Sequence, residues 1–362
     1  MKSPHRIIIQ ISFLMLILLT LFLGAALLRC RERLWRLDRA YTTMPLRDDL
    51  RGERVFETGE YFHFARFFDN DHLIYVRDSE LVIRSFRDTT EAVRRFQGHT
   101  DAICGFDITR DRKRLVSTSE DGTVRVWDAR SGTALAVSEP LDLNAQPSLT
   151  LLMDVHFTQG GRRILTADME GIKTWRTRDC KLLDKNDADL FYMRPGMIAP
   201  NGRTCCAPIL PNGFEIMQPD GEPLFRREGY YECLAYSPDS QYLLVADTDT
   251  GFLQGWDIPL LLRKNGKYAF LSFLSQGTVM TCAAYSDDGE QLVTGAENGC
   301  VYVWNANTGS LRETLRTDEK RIDGVCFSPD GCYILAYCHR LLPGDNYGST
   351  SLHIWGPPTW LI

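Results

Sequence analysis

Several motifs that mark catalytic chains are missing from these 362 residues. There is no GxSxG elbow, no glycine-rich phosphate loop ending in Gly-Lys-Ser or Gly-Lys-Thr, no HExxH and no EF-hand loop. Those absences remove the usual serine hydrolases, nucleotide hydrolases, zinc proteases and calcium sensors. Histidine is scarce: His5, His63, His72, His99, His156, His339 and His353 are scattered, with no pair at metal-ligand spacing. No catalytic residue, metal ligand or cofactor is therefore expected. Basic charge is also short, with 41 Lys and Arg against 47 Asp and Glu and a net charge of −6. No basic stripe stands out in the body of the chain, so no nucleic-acid partner is expected. The 11 cysteines include no CxxC pair. Cys104, Cys233, Cys282, Cys300 and Cys326 fall inside strand-like runs, where buried thiols act as small hydrophobes. A disulfide framework would need an oxidising compartment and would leave one thiol over. Cys205 and Cys206 are adjacent, so on a strand they point to opposite faces and cannot share a metal.

What is present begins with Ile7 to Leu28, 22 residues without a charge. As a helix they would reach roughly 33 Å, enough for a hydrocarbon core of about 30 Å. Lys2 and Arg6 precede the run, and Arg29, Arg31, Arg33, Arg36 and Arg39 follow it. The heavier basic flank favours the cytoplasm. This predicts a single-pass anchor with the rest of the chain cytoplasmic. Gly24-Ala25-Ala26 offers the alternative of a cleaved signal segment. Residues 29–52 then read as an arginine-rich linker, with Leu34, Leu37 and Tyr41 on one helical face and Pro45 ending it.

The remainder repeats. Gly98 to Ala134 reads as Gly98-His99, a strand over Ala102 to Ile108, a turn at Arg110-Asp111-Arg112, a strand over Arg114 to Thr118, an Asp-Gly turn, and a strand ending in Trp127-Asp128. Two markers recur along the chain. The first is a turn beginning at Phe68, Thr109, Thr158, Ala199, Ser237, Ser286 and Ser328. Its Asp, Asn, Gly and Pro residues suit turn dihedrals. The second is Phe86, Trp127, Trp175, Trp256, Trp304 and Trp355, with Met217 in the matching place of the fourth copy. Successive copies lie 38 to 51 residues apart. Ser79 to Arg84 and Gly299 to Trp304 alternate at strand period.

This pattern resembles the WD-repeat family of β-propellers, whose four-stranded blades repeat about every 40–45 residues. The resemblance covers residues 53–357. It implies an all-β, seven-bladed WD40-type propeller, preceded here by one transmembrane helix. It also implies that His99, Ser117, Asp121 and Trp127 form the hydrogen-bonded set of a blade. The sixth copy departs with Asn298 and the fifth with Thr250, where Asp is the rule. In this family the ring closes when an early strand completes the last blade. Arg54 to Thr58 should pair with the blade built from Ile322 to Trp355.

On such a fold, partners meet loops at the ring face. Projected onto it, Asp101, Glu120, Asp249, Glu297, Tyr230, Tyr231 and Arg321 share the face where strands are entered. Acidic groups beside tyrosines suit a basic, partly aromatic peptide. The insertion from Arg340 to Gly348 brings Leu341, Leu342 and Tyr347 to the same face, and long loops in compact domains are often functional. Ala136 to Leu152 is a second long connection.

The organisation is thus a flank at 1–6, an anchor at 7–28, a linker at 29–52, a propeller at 53–357 and a tail at 358–362. The expected activity is non-catalytic scaffolding of a protein or peptide at a membrane. The alternative is an exported propeller, enzyme or ligand-binding protein, delivered by the same N-terminal segment.

Overall fold

The structure is a computed structural model. It describes residues 52–57, 64–87, 93–141, 154–158, 160–168, 171–186, 198–208, 213–219, 221–263, 271–273, 276–340 and 349–356. The chain divides into Met1–Leu50 and Arg51–Ile362. The apolar run 7–28, linker residues 29–51, residues 142–152, Leu341, Leu342, Tyr347 and the tail 358–362 lie outside the described residues.

Seven antiparallel sheets make up the propeller. Blade 1 comprises Ala65–Phe67, His72–Arg77, Glu80–Ser85 and Arg94–Phe96; blade 2 comprises Ile103–Ile108, Arg114–Ser119, Val124–Asp128 and Ala134–Val137. Blade 3 follows with Asp154–Thr158, Arg163–Asp168, Gly171–Arg176 and Lys181–Asn186. Blade 4 shows Cys205–Pro208, Gly213–Met217 and Pro223–Glu228, with Ile198 bridged to Cys205. Blade 5 is Tyr231–Tyr236, Tyr242–Asp247, Leu253–Asp257 and Leu271–Phe273; blade 6 is Met280–Tyr285, Gln291–Ala296, Cys300–Asn305 and Leu311–Arg316. Blade 7 takes Gly324–Phe327, Ile334–Arg340 and Ser349–Gly356, and its outer strand is Gly52–Glu57. The register runs from Gly52 opposite Gly356 to Glu57 opposite Ser351, so the ring is closed by backbone pairing between distant parts of the chain. Closure protects sheet edges that would otherwise template aggregation.

One short helix, Ile258–Arg263, goes beyond the all-strand expectation for the blades; it follows the third strand of blade 5 directly. Within the described residues no helix is long and apolar enough to cross a membrane.

Because neighbouring strands run antiparallel, the two ends of the ring differ. One end, the loop face, carries the connections into first strands and those between second and third strands. The other, the turn face, carries the turns between first and second strands. These turns share one geometry. The amide of Thr109 donates to Arg114 O at 3.0 Å, Ser237 to Tyr242 O at 2.9 Å, Ser286 to Gln291 O at 3.0 Å and Ser328 to Tyr333 O at 2.9 Å. One position in the turn is left-handed. Gly202, Gly289 and Gly331 adopt it freely, whereas Arg112 (φ 57°) and Ser240 (φ 60°) carry a Cβ there.

The core lies between blades. Third-strand tryptophans meet phenylalanines on the outer strand of the preceding blade. Trp127 packs edge-on against Phe96 at 6.1 Å, Trp304 against Phe273 at 5.7 Å, and Trp256 lies 6.0 Å from Phe225. Such pairs add about 0.5–1.5 kcal/mol beyond area burial. Blade 1 differs from the sequence pattern. Trp127 stands opposite Leu115, Trp256 opposite Leu243 and Met217 opposite Cys205, but the residue opposite Leu73 is Arg84. Phe86 comes two residues later and joins Phe67 and Tyr333 at the junction with blade 7.

Candidate functional site

Blade 2 contains a continuous buried hydrogen-bond chain. His99 Nδ1 lies 2.8 Å from Asp121 Oδ2, and His99 Nε2 lies 2.8 Å from Ser117 Oγ. Trp127 donates its indole N–H to the same Ser117 oxygen at 2.8 Å. Asp121 also accepts the amides of Thr100 and Thr123. Burial pushes the His99 ring below its usual titration range, outweighing the attraction of Asp121. Burial opposes the Asp121 charge too, but hydrogen bonds from Thr123 and His99 hold its carboxyl below the usual range. The geometry ties the loop before the first strand to the second and third strands. It leaves the imidazole committed to structure. In blade 6, Asn298 supplies part of the same bonding, accepting the Cys300 amide at 3.1 Å and donating to Tyr302 OH at 2.9 Å.

A buried ion pair that the repeat pattern does not mark replaces this chain in blade 3. Lys173 Nζ bonds Asp168 Oδ2, with both side chains at or below 2 % exposure, and Asp168 accepts the Gly171 amide at 3.0 Å. Its one signal in the sequence is a charged pair framing a tight turn. A second cluster lies where blades 2 and 3 line the centre. His156 Nε2 stands 3.2 Å from Asp154 Oδ1, outside hydrogen-bond geometry, and Nδ1 stands 3.6 Å from Asp107 Oδ2. Burial alone would lower its pKa, but the Asp154 and Asp107 carboxylates override it and push it up to about 10. Burial likewise opposes the Asp107 charge, which the nearby His156 cation and the Phe157 amide, donating to Oδ2 at 2.8 Å, keep below the ordinary range. His156 is thus a structural cation.

The loop face distributes the expected partner-binding residues over three sectors. Asp101 and Glu120 are exposed on blade 2, where the Glu120 amide donates to Ala102 O. On blades 6 and 7, Glu297 and Arg321 come together at 3.7 Å, and Arg321 Nε also lies 3.1 Å from Asp323. Asp323 further takes the His339 amide at 2.8 Å and contacts His339 Nδ1 at 3.2 Å. Arg321 therefore already has two acidic neighbours. On blade 5, Asp249 is exposed and Tyr230 is 53 % exposed.

Tyr231 is placed differently from Tyr230 and is half-buried. Strand alternation turns it away from Tyr230, and it packs edge-on against Phe214 at 5.8 Å with Arg227 over its ring. It is a packing residue of the junction between blades 4 and 5. In its place the structure presents Phe252, 41 % exposed, in the turn between the second and third strands of blade 5. Thr248 of the same turn donates its amide to Tyr230 O at 2.9 Å. A lone apolar residue in a Gly-Asp-Thr turn is the available signal for Phe252. Leu341, Leu342 and Tyr347 follow the strand ending at Arg340 and lie outside the described residues.

The ten described cysteines are thiols outside any disulfide, with Cys206 and Cys233 Sγ atoms 2.7 Å apart between blades 4 and 5. Burial pushes Cys104, Cys180 and Cys282 up to about 12, so these sulfurs stay protonated and weakly nucleophilic. Among the described residues no cluster of His, Cys, Asp and Glu could hold a metal ion.

Seven antiparallel blades around a centre, with an indole-to-hydroxyl bond inside a blade, define a β-propeller. Residues 90–128 and 271–305 match the family described as WD domain, G-beta repeat. Two stretches of the propeller, ending in the third strands of blades 2 and 6, are thus similar to WD40 repeats. The chain is 25% identical over 293 residues to Periodic tryptophan protein 2 of Arabidopsis thaliana, covering 71% of this chain and 30% of that protein. It is 22% identical over 237 residues to the guanine nucleotide-binding protein subunit beta of Nicotiana plumbaginifolia, covering 65% and 53%. It is 21% identical over 262 residues to the serine-threonine kinase receptor-associated protein of Gallus gallus, covering 67% and 66%. The chain therefore spans 30% to 66% of the length of these relatives.

Proposed function

We propose that this chain is a non-catalytic protein-interaction scaffold, held at a membrane by residues 7–28 with its propeller in the cytoplasm. The observation that carries the scaffold reading is the loop face. It sets the exposed rings of Tyr230 and Phe252 beside the acidic Asp249, with Glu297, Glu120 and Asp101 on other blades of the same face. Aromatic anchors ringed by charge are how protein surfaces hold peptides. Partly similar proteins named as a subunit, a receptor-associated protein and, for one from Saccharomyces cerevisiae, a SIR4-interacting protein support the same class of role. The fitting ligand is a basic, partly aromatic segment.

The tether rests on the 22-residue uncharged run and the five arginines that follow it. Tethering would raise the local concentration of whatever the propeller holds. Two experiments test the proposal. Proteins co-purifying with the full chain should be lost from the Tyr230→Ser/Phe252→Ser variant, and their retention would refute the loop-face reading. Protease added to intact cells should spare a C-terminal tag. Cleavage from outside would support an exported propeller instead.

A further inference from the structure

The turn face carries a feature that the loop-face reading does not use. A cavity of about 850 Å³ opens at the centre of this face, within the size range of ligand sites. Its wall on the blade 2 side carries Arg110, Arg112 and Arg114 beside Asp111 and Asp107, the latter facing His156 at 3.6 Å. The turn Thr109–Arg114 is pinned by Asp111, which accepts the Thr109 hydroxyl at 2.8 Å and the Lys113 amide at 3.1 Å. That carboxylate is committed to its own turn, and Arg110, Arg112, Lys113 and Arg114 surround it. Arg162 and Arg163 stand exposed in the adjoining turn of blade 3. These two turns thus gather six cations against one carboxylate, in a chain of net charge −6.

The two turns are fitted to each other. Gly161 of blade 3, at φ 80°, faces the Arg114 guanidinium so closely that a Cβ would sit 3.2 Å from Nη2. Arg66 of blade 1 lines the same cavity further in, over the Phe106 ring at 5.7 Å. Among the described residues Arg66, Arg110 and Arg114 have no carboxylate within ion-pair distance. Arg112 has only Asp287 at 3.8 Å, and that carboxylate is 70 % exposed, so the pair is screened and weak. On the far side of the mouth the lining carboxylates are Asp239 of blade 5, held in its own turn by the Ser237 hydroxyl at 2.6 Å, and Asp287 of blade 6, the one Arg112 reaches. The face is therefore divided, and the division gives an occupant a direction.

We infer that the basic half of the turn face, on blades 2 and 3, is a second docking site for an acidic peptide segment that runs to the cavity mouth. Charge complementarity selects the occupant, and the spread of cations over two blades and into the centre suits an extended chain. The acidic half repels a longer acidic run and so limits the segment to a few residues. The inference is independent of the loop-face reading, because the two faces lie at opposite ends of the strands.

The test uses the full chain in detergent and a fluorescein-labelled peptide of five glutamates, with five lysines as control. The glutamate peptide should bind, and binding should weaken as salt rises from about 0.05 to about 0.5 M. Arg110→Glu/Arg162→Glu should lower affinity at least about tenfold. Tyr230→Ser should leave it unchanged. An unaltered melting temperature will show that the charge-reversed protein is folded; if it shifts, Arg110→Gln/Arg162→Gln replaces it. Absence of binding at low salt, or equal affinity in the folded variant, overturns the assignment. Equal affinity for inorganic pyrophosphate also overturns it, because the site would then read a small anion and not a peptide.

Discussion

Val245 occupies, beside the buried Trp256, the place in the strand from which Ser117 serves Trp127, and so offers its indole no hydroxyl. The indole N–H of Trp175 reaches Thr166 at 2.8 Å and that of Trp304 reaches Thr294 at 3.0 Å. In each case the hydroxyl sits two residues beyond the one facing the tryptophan. Trp256 Nε1 alone among these four has no acceptor within the described residues.

Val245→Thr should supply that acceptor with little change of shape. A buried donor gaining its partner should raise stability by about 1 kcal/mol. Ser117→Ala should lower it by about 1–3 kcal/mol, since the Trp127 indole N–H and His99 Nε2 both lose the Ser117 hydroxyl. Urea denaturation measures both, and a destabilised Val245→Thr would contradict the geometry.

The Lys173–Asp168 pair makes a different prediction. Lys173→Met removes the cation bonded to the buried Asp168 carboxylate and should cost about 3–5 kcal/mol. Adding Asp168→Asn removes the carboxylate charge and keeps an acceptor for the Gly171 amide. The double variant should therefore recover most of the loss in thermal denaturation.

Two histidines should set opposite limits on pH stability. His99 titrates below 6.5 in the fold, so the unfolded chain binds its proton first and stability falls as pH drops below about 6.5. His156 titrates up to about 10, so its contribution is complete below 6.5 and is lost as pH rises through the folded value. Melting temperature should peak near neutrality. His156→Gln should flatten the slope between about 6.5 and 8.5, before unfolded thiols ionise. His99→Gln should flatten the acid side instead. Unchanged slopes would contradict these assignments.

The ring is legible because its markers are local. Turn residues and third-strand aromatics are set by dihedral and packing demands within one blade, so most copies show them. The blade 1 marker slips because Phe86 belongs to the contact with Tyr333, which lies 247 residues away. The helix Ile258–Arg263 is hidden because six apolar-rich residues carry no helical period of their own. Tyr230 and Tyr231 look alike in sequence, and only strand alternation separates the exposed ring from the packed one. The basic half of the turn face is invisible along the chain because its cations occur in two turns 49 residues apart, Thr109 to Thr158, that the fold brings side by side.

Removing residues 52–57 should leave the Ser349–Gly356 strand without its outer neighbour. The protein should then self-associate through that edge. Light scattering after size exclusion would show oligomers where the full chain runs as a single species, and unchanged scattering would argue that the closing strand is dispensable.

The same strand sets a schedule. A ribosome releases Gly52–Glu57 roughly 300 residues before its partner Ser349–Gly356 exists. Through most of synthesis this segment is a ribbon awaiting a counterpart, while the blades between the two can pack as they emerge. Ring completion is then a late event that waits for Ser349–Gly356, and a chain stalled before Ser349 remains an open arc with two unpaired edges.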